Sequence, residues 1–177
     1  PLNKDLYPGN YIIDIAKNII NKKNITDFKK KDLILDQLEE ESLNQSVILI
    51  KNNLSLLGVN HDTFVYESHL IKNNQVQKTV NKLLKSDHVY NGKLPPPKGE
   101  LSKDWKPRNQ LLFKSTLFGD DTDRALQKEN KTWTYFAGDL AYHSDKIERN
   151  FDILINVLGA DHSGYIKRIT SAVKALS

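Results

Sequence analysis

The sequence predicts an α/β fold, with a mainly helical part over residues 1–87 and a mixed part of strands and helices over residues 88–177. Two observations support this fold class. Apolar residues recur at helical spacing through most of the first part. Residues 132–176 then show strand, helix, strand and helix patterns in turn, and this order predicts a parallel sheet whose strands are joined by right-handed crossovers.

The composition is that of a globular protein and excludes several kinds of site. The 177 residues are 27% charged and 38% hydrophobic, and the formal net charge is +4. No apolar run approaches the roughly 20 residues that a membrane-spanning helix needs. Because cysteine is absent, disulfides, thiolate metal sites and a cysteine nucleophile are excluded. Methionine is absent too, also at position 1, and we therefore expect a piece of a longer protein.

Three helices are predicted in the first part. The apolar stripe of the first helix runs over residues 11–20, with Asn10 as its N-cap. The stripe of the second helix runs over residues 33–57. Gly58 is suited to end that helix, because glycine readily adopts the left-handed conformation of a helix C-terminus. The third helix covers residues 76–84.

Turns and short strands are predicted between and after these helices. Residues 29–31 are expected to form an exposed lysine turn, and residues 63–66 a short strand. The Asn-Gly pair at residues 91–92 is a strong hairpin-turn signal. The three prolines at residues 95–97 can neither continue a helix nor lie in a central strand. Further strands are predicted at residues 110–115, 123–128 and 132–135, with a turn at residues 129–131.

The clearest pattern lies in the C-terminal region. A helix over residues 137–150 precedes the apolar run 153–158, which is typical of a strand buried on both faces. A tight turn at residues 159–164 leads into a final helix that ends near Leu176. Ligands bind beyond the carboxyl ends of strands in parallel sheets. The residues expected at those ends are Tyr135, Asp139, Gly159, Asp161 and His162.

Asp139 is the first candidate binding residue. It is expected in the first turn of its helix, four residues after Tyr135 at the end of the preceding strand. A carboxylate and a phenol that converge in this way can hold a guanidinium, whose planar fork suits bidentate pairing better than an ammonium does. The alternative is that Asp139 only complements the positive end of the helix dipole, and spacing alone does not decide between the two interpretations.

The turn at residues 159–164 is the second candidate. Gly159 lets a ligand approach the backbone, Asp161 can accept hydrogen bonds from ribose hydroxyls, and His162 can donate to a phosphate or stack on a base. The alternative is that Asp161 or Ser163 caps the following helix. The chain contains neither of the phosphate-binding patterns G-x-x-x-x-G-K-[ST] and G-x-G-x-x-G.

No metal site is predicted. Asp120, Asp121 and Asp123 resemble part of a calcium loop, but the glycine and the distal glutamate of such a loop are missing at the required offsets. An RNA-binding domain would need basic residues clustered with aromatic ones, and the lysines here are scattered. The mild positive charge is compatible with a polyanionic partner but identifies none.

Short motifs along the chain closely resemble, in order, the catalytic domain of bacterial arginyl-tRNA synthetases, which are class I enzymes. They are K-G-E-L at residues 98–101, D-W-K-P-R at 104–108, F-K-S-T at 113–116, F-G-D-D at 118–121, W-T-Y-F-A-G-D-L-A-Y-H at 133–143 and G-A-D-H-S-G-Y-I-K-R at 159–168. Weaker similarity extends back to residues 7–11 and 57–62, so the resemblance covers nearly the whole chain.

The resemblance implies a portion of a Rossmann-like catalytic domain with a mainly helical insertion. The family activates arginine with ATP and transfers it to tRNA(Arg), in the cytoplasm and without a membrane partner, and Mg²⁺ is expected at the parent active site. By their positions in the motifs, Tyr135, Asp139 and His162 are expected to contact arginine. Gly159, Asp161 and His162 are expected to contact ATP, and the parent enzyme is expected to be a monomer.

Two departures from the family limit what the chain is expected to do. The class I signatures of the H-I-G-H and K-M-S-K types, which carry the ATP chemistry, are absent. Nothing here matches the family's flanking tRNA-binding and anticodon-binding domains. We therefore expect no catalytic residue in these 177 residues, and no aminoacylation by the chain alone. The alternative is a stand-alone, non-catalytic module that binds arginine or a nucleotide and derives from the same fold.

Overall fold

A computed structural model describes residues 9–25, 31–96 and 106–177 of the chain. The chain divides into two compact units, one ending at Phe64 and the other beginning at Val65. None of the helices in the described ranges is long and apolar enough to cross a membrane. The predicted division at residues 87 and 88 concerns the kind of secondary structure on each side, and it stays a prediction.

The first unit contains two helices, α1 (Asn10–Lys23) and α2 (Lys31–Leu56), which pack against each other. Ile15 and Ile19 are buried on α1, as its apolar stripe predicts. The N-cap is Gly9 rather than the expected Asn10, which is already helical. Gly58 follows α2 with a φ of 75°, in the left-handed region expected of a residue that ends a helix. Of the predicted lysine turn, Lys31 is the first residue of α2, and residues 29 and 30 lie outside the described residues.

The second unit combines helices with a small sheet. Its elements are α3 (Glu67–Lys72), α4 (Gln75–Lys85), β1 (Val89–Gly92), β2 (Gln110–Phe113), β3 (Arg124–Ala125), α5 (Tyr135–Glu148) and α6 (Ile166–Leu176), with 3₁₀ segments at Ser115–Phe118 and Ala160–Tyr165. Helix α4 confirms the third predicted helix, whereas α3 was not predicted. Residues 63–66, expected as a strand, form no strand and precede α3 directly.

One hydrophobic cluster joins the helices and the sheet of the second unit. Helix α4 contributes Val76, Val80 and Leu83, whose spacing places them on one face. Helix α5 contributes Leu140 and Ala141. The remaining buried members are Leu70, Val89, Phe113, Leu126, Phe136, Ala137, Ala172 and Leu176. The cluster packs α5 against α6 and β3. Helix α5 carries Tyr135 and Asp139, and the segment directly before α6 carries Asp161 and His162.

The sheet is antiparallel, with strand order β1-β2-β3. Within the described residues no two strands pair in parallel, so the parallel sheet expected from the strand–helix–strand–helix pattern is not formed there. The Asn-Gly hairpin prediction is also wrong. Asn91 and Gly92 lie inside β1, opposite Leu111 and Gln110 of β2, because pairing with β2 outweighs the local turn preference of this dipeptide.

Residues 153–158 do not form the predicted buried strand. The exposed fractions of Ile153, Ile155 and Val157 are 77%, 82% and 93%. A strand is stable only when its backbone groups pair with a neighbour, and no strand among the described residues lies beside this segment. The prediction of a buried strand at residues 153–158 is therefore wrong for the described structure.

The start of α5 also differs from the prediction. The expected strand over residues 132–135 is reduced to a single bridge between Trp133 and Gln127. Thr134 then caps α5, because its hydroxyl accepts a hydrogen bond from the Ala137 N–H at 3.3 Å. Tyr135 is thus the first residue of a helix rather than the last of a strand. The predicted turn at residues 129–131 is present, and Lys131 there has a φ of 64°.

Candidate functional site

The position of the first candidate residues is set by the anchored start of α5. The Thr134 hydroxyl donates to the Ala125 carbonyl of β3 at 2.9 Å, and its N–H donates to the Leu126 carbonyl at 3.0 Å. These bonds hold the helix N-terminus against the sheet. Tyr135 and Asp139, four residues apart on α5, consequently share one helical face.

The corrected helix boundary changes the interpretation of Asp139. Because α5 begins at Tyr135, Asp139 is its fifth residue, and the first turn contains no acidic side chain. The expectation that Asp139 lies in the first turn is therefore wrong. The influence of the helix dipole falls off within the first turn, so charge complementation at the N-terminus does not explain this carboxylate.

A cavity of about 140 Å³ lies on this face of α5. Its lining residues are Tyr135, Gly138, Asp139 and Tyr142 of α5, together with Val65, Glu67 and Leu70. Complete small-molecule pockets are typically about 300–1,000 Å³. The cavity is thus of a size for one head group rather than for a whole nucleotide.

The polar lining of the cavity is suited to a cation. Glu67 and Asp139 supply two carboxylates, and Tyr135 and Tyr142 supply two phenols. Among the described residues, the lining includes no lysine, arginine or histidine. Phenol and carboxylate oxygens accept hydrogen bonds, and a planar cation with several N–H donors can satisfy them together.

Two lysines lie near the cavity without lining it. The Lys146 ammonium lies 4.2 Å from the centre of the Tyr142 ring and donates to Asn156 Oδ1 at 2.8 Å. Burial, reinforced by the nearby positive charge of Arg149, lowers the pKa of Lys146 below its usual value. The Lys128 ammonium lies 5.4 Å from the centre of the Tyr135 ring. Both ammonium groups thus lie near the rings of tyrosines that line the cavity, and the Asp139 charge also acts on Lys146.

Glu67 sits close to Gly138 across the cavity. A Cβ atom added at Gly138 would lie 3.2 Å from Glu67 Oε1 and 3.6 Å from Glu67 Cγ. Such a contact is tight enough that the glutamate side chain would have to shift. The absence of a side chain at residue 138 therefore lets α3 and α5 bring their carboxylates to the same cavity.

Asp139 is tied to the second candidate segment through Tyr165. The Tyr165 hydroxyl donates a hydrogen bond to Asp139 Oδ2. Tyr165 is the last residue of the 3₁₀ segment Ala160–Tyr165, which contains Asp161 and His162. The structure thus brings α5 and the predicted nucleotide turn together, although no hydrogen bond or ion pair within the described residues joins His162 directly to Asp139.

The turn itself is open to solvent. Its 3₁₀ segment begins after Gly159, whose carbonyl accepts from the His162 N–H at 2.9 Å. His162 Nε2 lies 3.6 Å from Asp161 Oδ2, and both side chains are more than half exposed. A Cβ atom at Gly159 would lie 2.4 Å from Asp161 Oδ1, so glycine allows the Asp161 carboxylate to fold back over the turn. The Asp161 and His162 side chains are therefore accessible to a ligand from the solvent.

Comparison with known proteins shows which proteins this chain is similar to. Over 175 residues the chain is 57% identical to the arginine–tRNA ligase of Pelagibacter ubique, with 99% of this chain and 30% of that protein covered. The chain is homologous to a segment of the arginine–tRNA ligases. Identity to the ligase of Ehrlichia chaffeensis is 48% over 178 residues, and to that of Paracoccus denitrificans 43% over 184 residues. The segment covers 31% and 30% of those two proteins.

A solved structure supports the same relationship. The chain superposes with a TM-score of 0.79 and 28% identity on a Campylobacter jejuni protein described as a candidate arginyl-tRNA synthetase. The match covers 99% of this chain and 35% of that one. No family model matches the chain. The chain thus spans about a third or less of the arginine–tRNA ligases it resembles, and the resemblance found in its sequence motifs is confirmed.

Three polar residues that line the cavity or bond to Asp139 were not predicted from the sequence: Tyr142, Glu67 and Tyr165. Tyr142 lies three residues after Asp139 on α5, so helical spacing alone could have found it. Glu67 lies on α3. Tyr165 lies at the end of a 3₁₀ segment whose first residues were predicted to form a turn. Neither shares a local pattern with Asp139, and only the tertiary structure brings them to it.

The three aspartates of the F-G-D-D-T-D motif at residues 118–123 have structural partners. Arg124 pairs with Asp120 through two bonds of 2.7 Å and with Asp121 at 2.6 Å. Asp123 accepts from the Tyr90 hydroxyl at 2.9 Å and from the Thr116 hydroxyl at 2.7 Å. Within the described residues, no group of three or more His, Asp or Glu side chains is placed to hold a metal ion.

Proposed function

We propose that this chain is an internal part of an arginine–tRNA ligase, which activates arginine with ATP and transfers it to tRNA(Arg) in the cytoplasm. The observation that carries the proposal is the 57% identity, which extends over 99% of the chain. Arginine, ATP and tRNA(Arg) are the partners this assignment implies, and the parent enzyme is expected to act as a monomer without a membrane partner.

The cavity beside α5 is the proposed arginine subsite. The guanidinium would lie between Asp139 and Glu67, because two carboxylates, with no basic side chain among the described lining residues, favour a cation. Tyr135 and Tyr142 offer phenol oxygens as acceptors at its edge. A cavity of about 140 Å³ fits the head group, and the α-amino and carboxyl groups would extend out of it toward His162.

The turn after Gly159 is the proposed contact with ATP. Asp161 would accept from the ribose hydroxyls, and His162 would contact the adenosine and the amino acid. The Mg²⁺ that accompanies ATP finds no ligand cluster among the described residues. No step proposed for this chain depends on that ion.

Residues 153–158 are proposed to become a strand of the Rossmann-like sheet in the full-length ligase. The run is mostly apolar, and its Ile153, Ile155 and Val157 side chains are exposed. A neighbouring parallel strand from the rest of the ligase would pair their backbone and bury these side chains. The Gly159 turn would then follow the carboxyl end of a strand, where ligands of such sheets bind.

The isolated chain is proposed to be inactive. Class I chemistry orients ATP and stabilises the charge that develops on its phosphates. The H-I-G-H and K-M-S-K signatures that do this in the family are absent from these 177 residues. Arginine-dependent ATP–pyrophosphate exchange by the 177-residue chain would contradict this part of the proposal.

The flanking coding sequence tests the proposal first. An H-I-G-H motif upstream and a K-M-S-K motif downstream would support the ligase. A start codon directly before Pro1 and a stop codon directly after Ser177 would instead favour a stand-alone binding module.

Asp139→Asn in the full-length ligase tests the arginine subsite. Loss of a charge-assisted pair in a partly buried site costs about 2–4 kcal/mol, which corresponds to a rise in the arginine KM of roughly 30- to 1,000-fold. Asp145→Asn is the matched control, because it makes the same change on the same helix and Asp145 pairs with Arg149 instead of lining the cavity. An unchanged arginine KM and kcat in Asp139→Asn would refute the assignment.

A further inference from the structure

The Tyr165 phenol makes a long-range contact that the sequence motifs do not explain. Its hydroxyl donates to Asp139 Oδ2 across 26 residues of sequence, from the end of the 3₁₀ segment to the middle of α5. The Tyr165 ring packs against the hydrophobic cluster of the second unit. The Arg168 guanidinium lies 5.2 Å from the centre of the same ring. The ring of Tyr165 is therefore fixed by its packing as well as by the hydrogen bond to Asp139.

The Asp139 carboxylate has room for both Tyr165 and a guanidinium. An ionised carboxylate offers about four lone-pair sites on its two oxygens. Tyr165 occupies one of them, and among the parts of the chain that the structure describes no other donor bonds to this carboxylate. A bidentate guanidinium needs one site on each oxygen. Tyr165 thus leaves both oxygens able to accept from a ligand.

The chemistry of the phenol suits a permanent donor. Burial first, and then the hydrogen bond to the Asp139 carboxylate, raise the pKa of Tyr165 above its usual value, while the Arg168 charge opposes this shift. A phenol with a raised pKa stays protonated throughout the neutral range. The Tyr165 hydroxyl therefore stays a neutral hydrogen-bond donor to Asp139 and does not become a second negative charge beside it.

We propose that Tyr165 is a positioning residue for arginine recognition: its hydroxyl fixes the Asp139 carboxylate in the orientation that receives the guanidinium. This inference rests on the proposed arginine subsite. Without the bond, the Asp139 side chain would rotate more freely and would have to be ordered each time arginine binds, which weakens binding. Tyr165 also ends the segment that carries Asp161 and His162. Its side chain therefore links the Asp139 carboxylate to the turn proposed to bind ATP.

Tyr165→Phe in the full-length ligase tests the inference, with arginine-dependent ATP–pyrophosphate exchange as the assay. Because it removes one hydrogen bond to a charged group, we expect the arginine KM to rise about tenfold and the ATP KM to change by less than about twofold. Tyr90→Phe is the matched control, since it removes a phenol bonded to Asp123 at 2.9 Å, away from the cavity. The control is expected to leave the arginine KM within about twofold.

A double-mutant cycle separates positioning from a merely structural role. If Tyr165 acts through Asp139, Tyr165→Phe raises the arginine KM in the wild-type background and adds less than about twofold in the Asp139→Asn background. A structural role would lower kcat through loss of folded enzyme and would leave the arginine KM unchanged. That result would overturn the inference even if the variant folds poorly, because KM is measured on the active fraction.

The same cycle distinguishes this inference from the proposed function. If Asp139→Asn raises the arginine KM and Tyr165→Phe does not, the subsite stands and the role of Tyr165 is wrong. If Asp139→Asn itself has no effect, the arginine subsite is wrong and the role of Tyr165 falls with it.

Discussion

Asp120→Asn is expected to destabilise the second unit by about 3 kcal/mol. The Asp120 side chain is only 1% exposed and receives two bonds of 2.7 Å from Arg124. The Ser115 hydroxyl and the Asp121 N–H complete its hydrogen bonding at 2.6 and 2.8 Å. Removal of one partner of a buried ion pair costs about 3–5 kcal/mol, and asparagine, which keeps one acceptor oxygen, falls at the low end.

The same pair makes stability depend on pH. Burial opposes ionisation of Asp120, but the bonds from Arg124, Ser115 and the Asp121 N–H outweigh it and hold the pKa of this carboxyl well below its usual range. A carboxyl whose pKa is depressed in the folded state contributes stability fully above its unfolded pKa, about 3.9. That contribution is lost progressively as the pH falls below about 4. The wild type should therefore lose stability between neutral pH and pH 3 by more than Asp120→Asn does.

Urea unfolding of the 177-residue chain, followed by tryptophan fluorescence, measures the effect. With a slope of about 2 kcal/mol per molar urea, 3 kcal/mol moves the midpoint down by about 1.5 M. The matched control is Asp121→Asn, which also removes a carboxylate bonded to Arg124, but at a side chain that is 52% exposed. Exposed pairs contribute about 0–1 kcal/mol, so its midpoint should shift by less than about 0.5 M. Equal midpoints for the two variants would refute the argument from burial.

Two further predictions concern the arginine subsite and the exposed apolar segment. Gly138→Ala places a Cβ atom 3.2 Å from Glu67 Oε1, so in the full-length ligase the arginine KM should rise severalfold while the ATP KM stays constant; equal changes in both would contradict a local effect on Glu67. Ile155→Asp changes a side chain that is 82% exposed, and in the 177-residue chain it should alter the free energy of unfolding by less than about 0.5 kcal/mol. In the full-length ligase the same change should abolish soluble, active enzyme if this segment joins a sheet, because it buries an unpaired carboxylate; normal activity would argue against that strand.

Local patterns predicted the helices well, and their success has a physical cause. An amphipathic helix places its apolar side chains on one face by its own geometry, so the stripes of α1, α4 and α5 can be read without knowing the partner. The sheet could not be predicted from local patterns in this way. Asn91 and Gly92 have the local preference of a turn, yet they pair with β2 because that strand, almost twenty residues away, offers backbone partners.

The candidate site was predictable where its residues share one element. The proximity of Tyr135 and Asp139 was predicted from a strand end followed by a first helical turn, whereas the structure places both residues on α5, four residues apart. Glu67 and Tyr165 reach the same place from other elements, and no periodicity connects them to Asp139. The residues that could be predicted lie on one helix. Their neighbours from other elements could not be predicted, because only long-range packing brings them together.

The error at the start of α5 strengthens the case for a binding role of Asp139. With the predicted boundary, the helix dipole alone was an adequate reason for a carboxylate at this position. With the observed boundary, Asp139 lies beyond the first turn, lines a cavity that contains a second carboxylate, and is held by a phenol from a distant segment. In the proposed subsite a guanidinium would pair with both carboxylates. Helix stability offers no comparable reason for this arrangement.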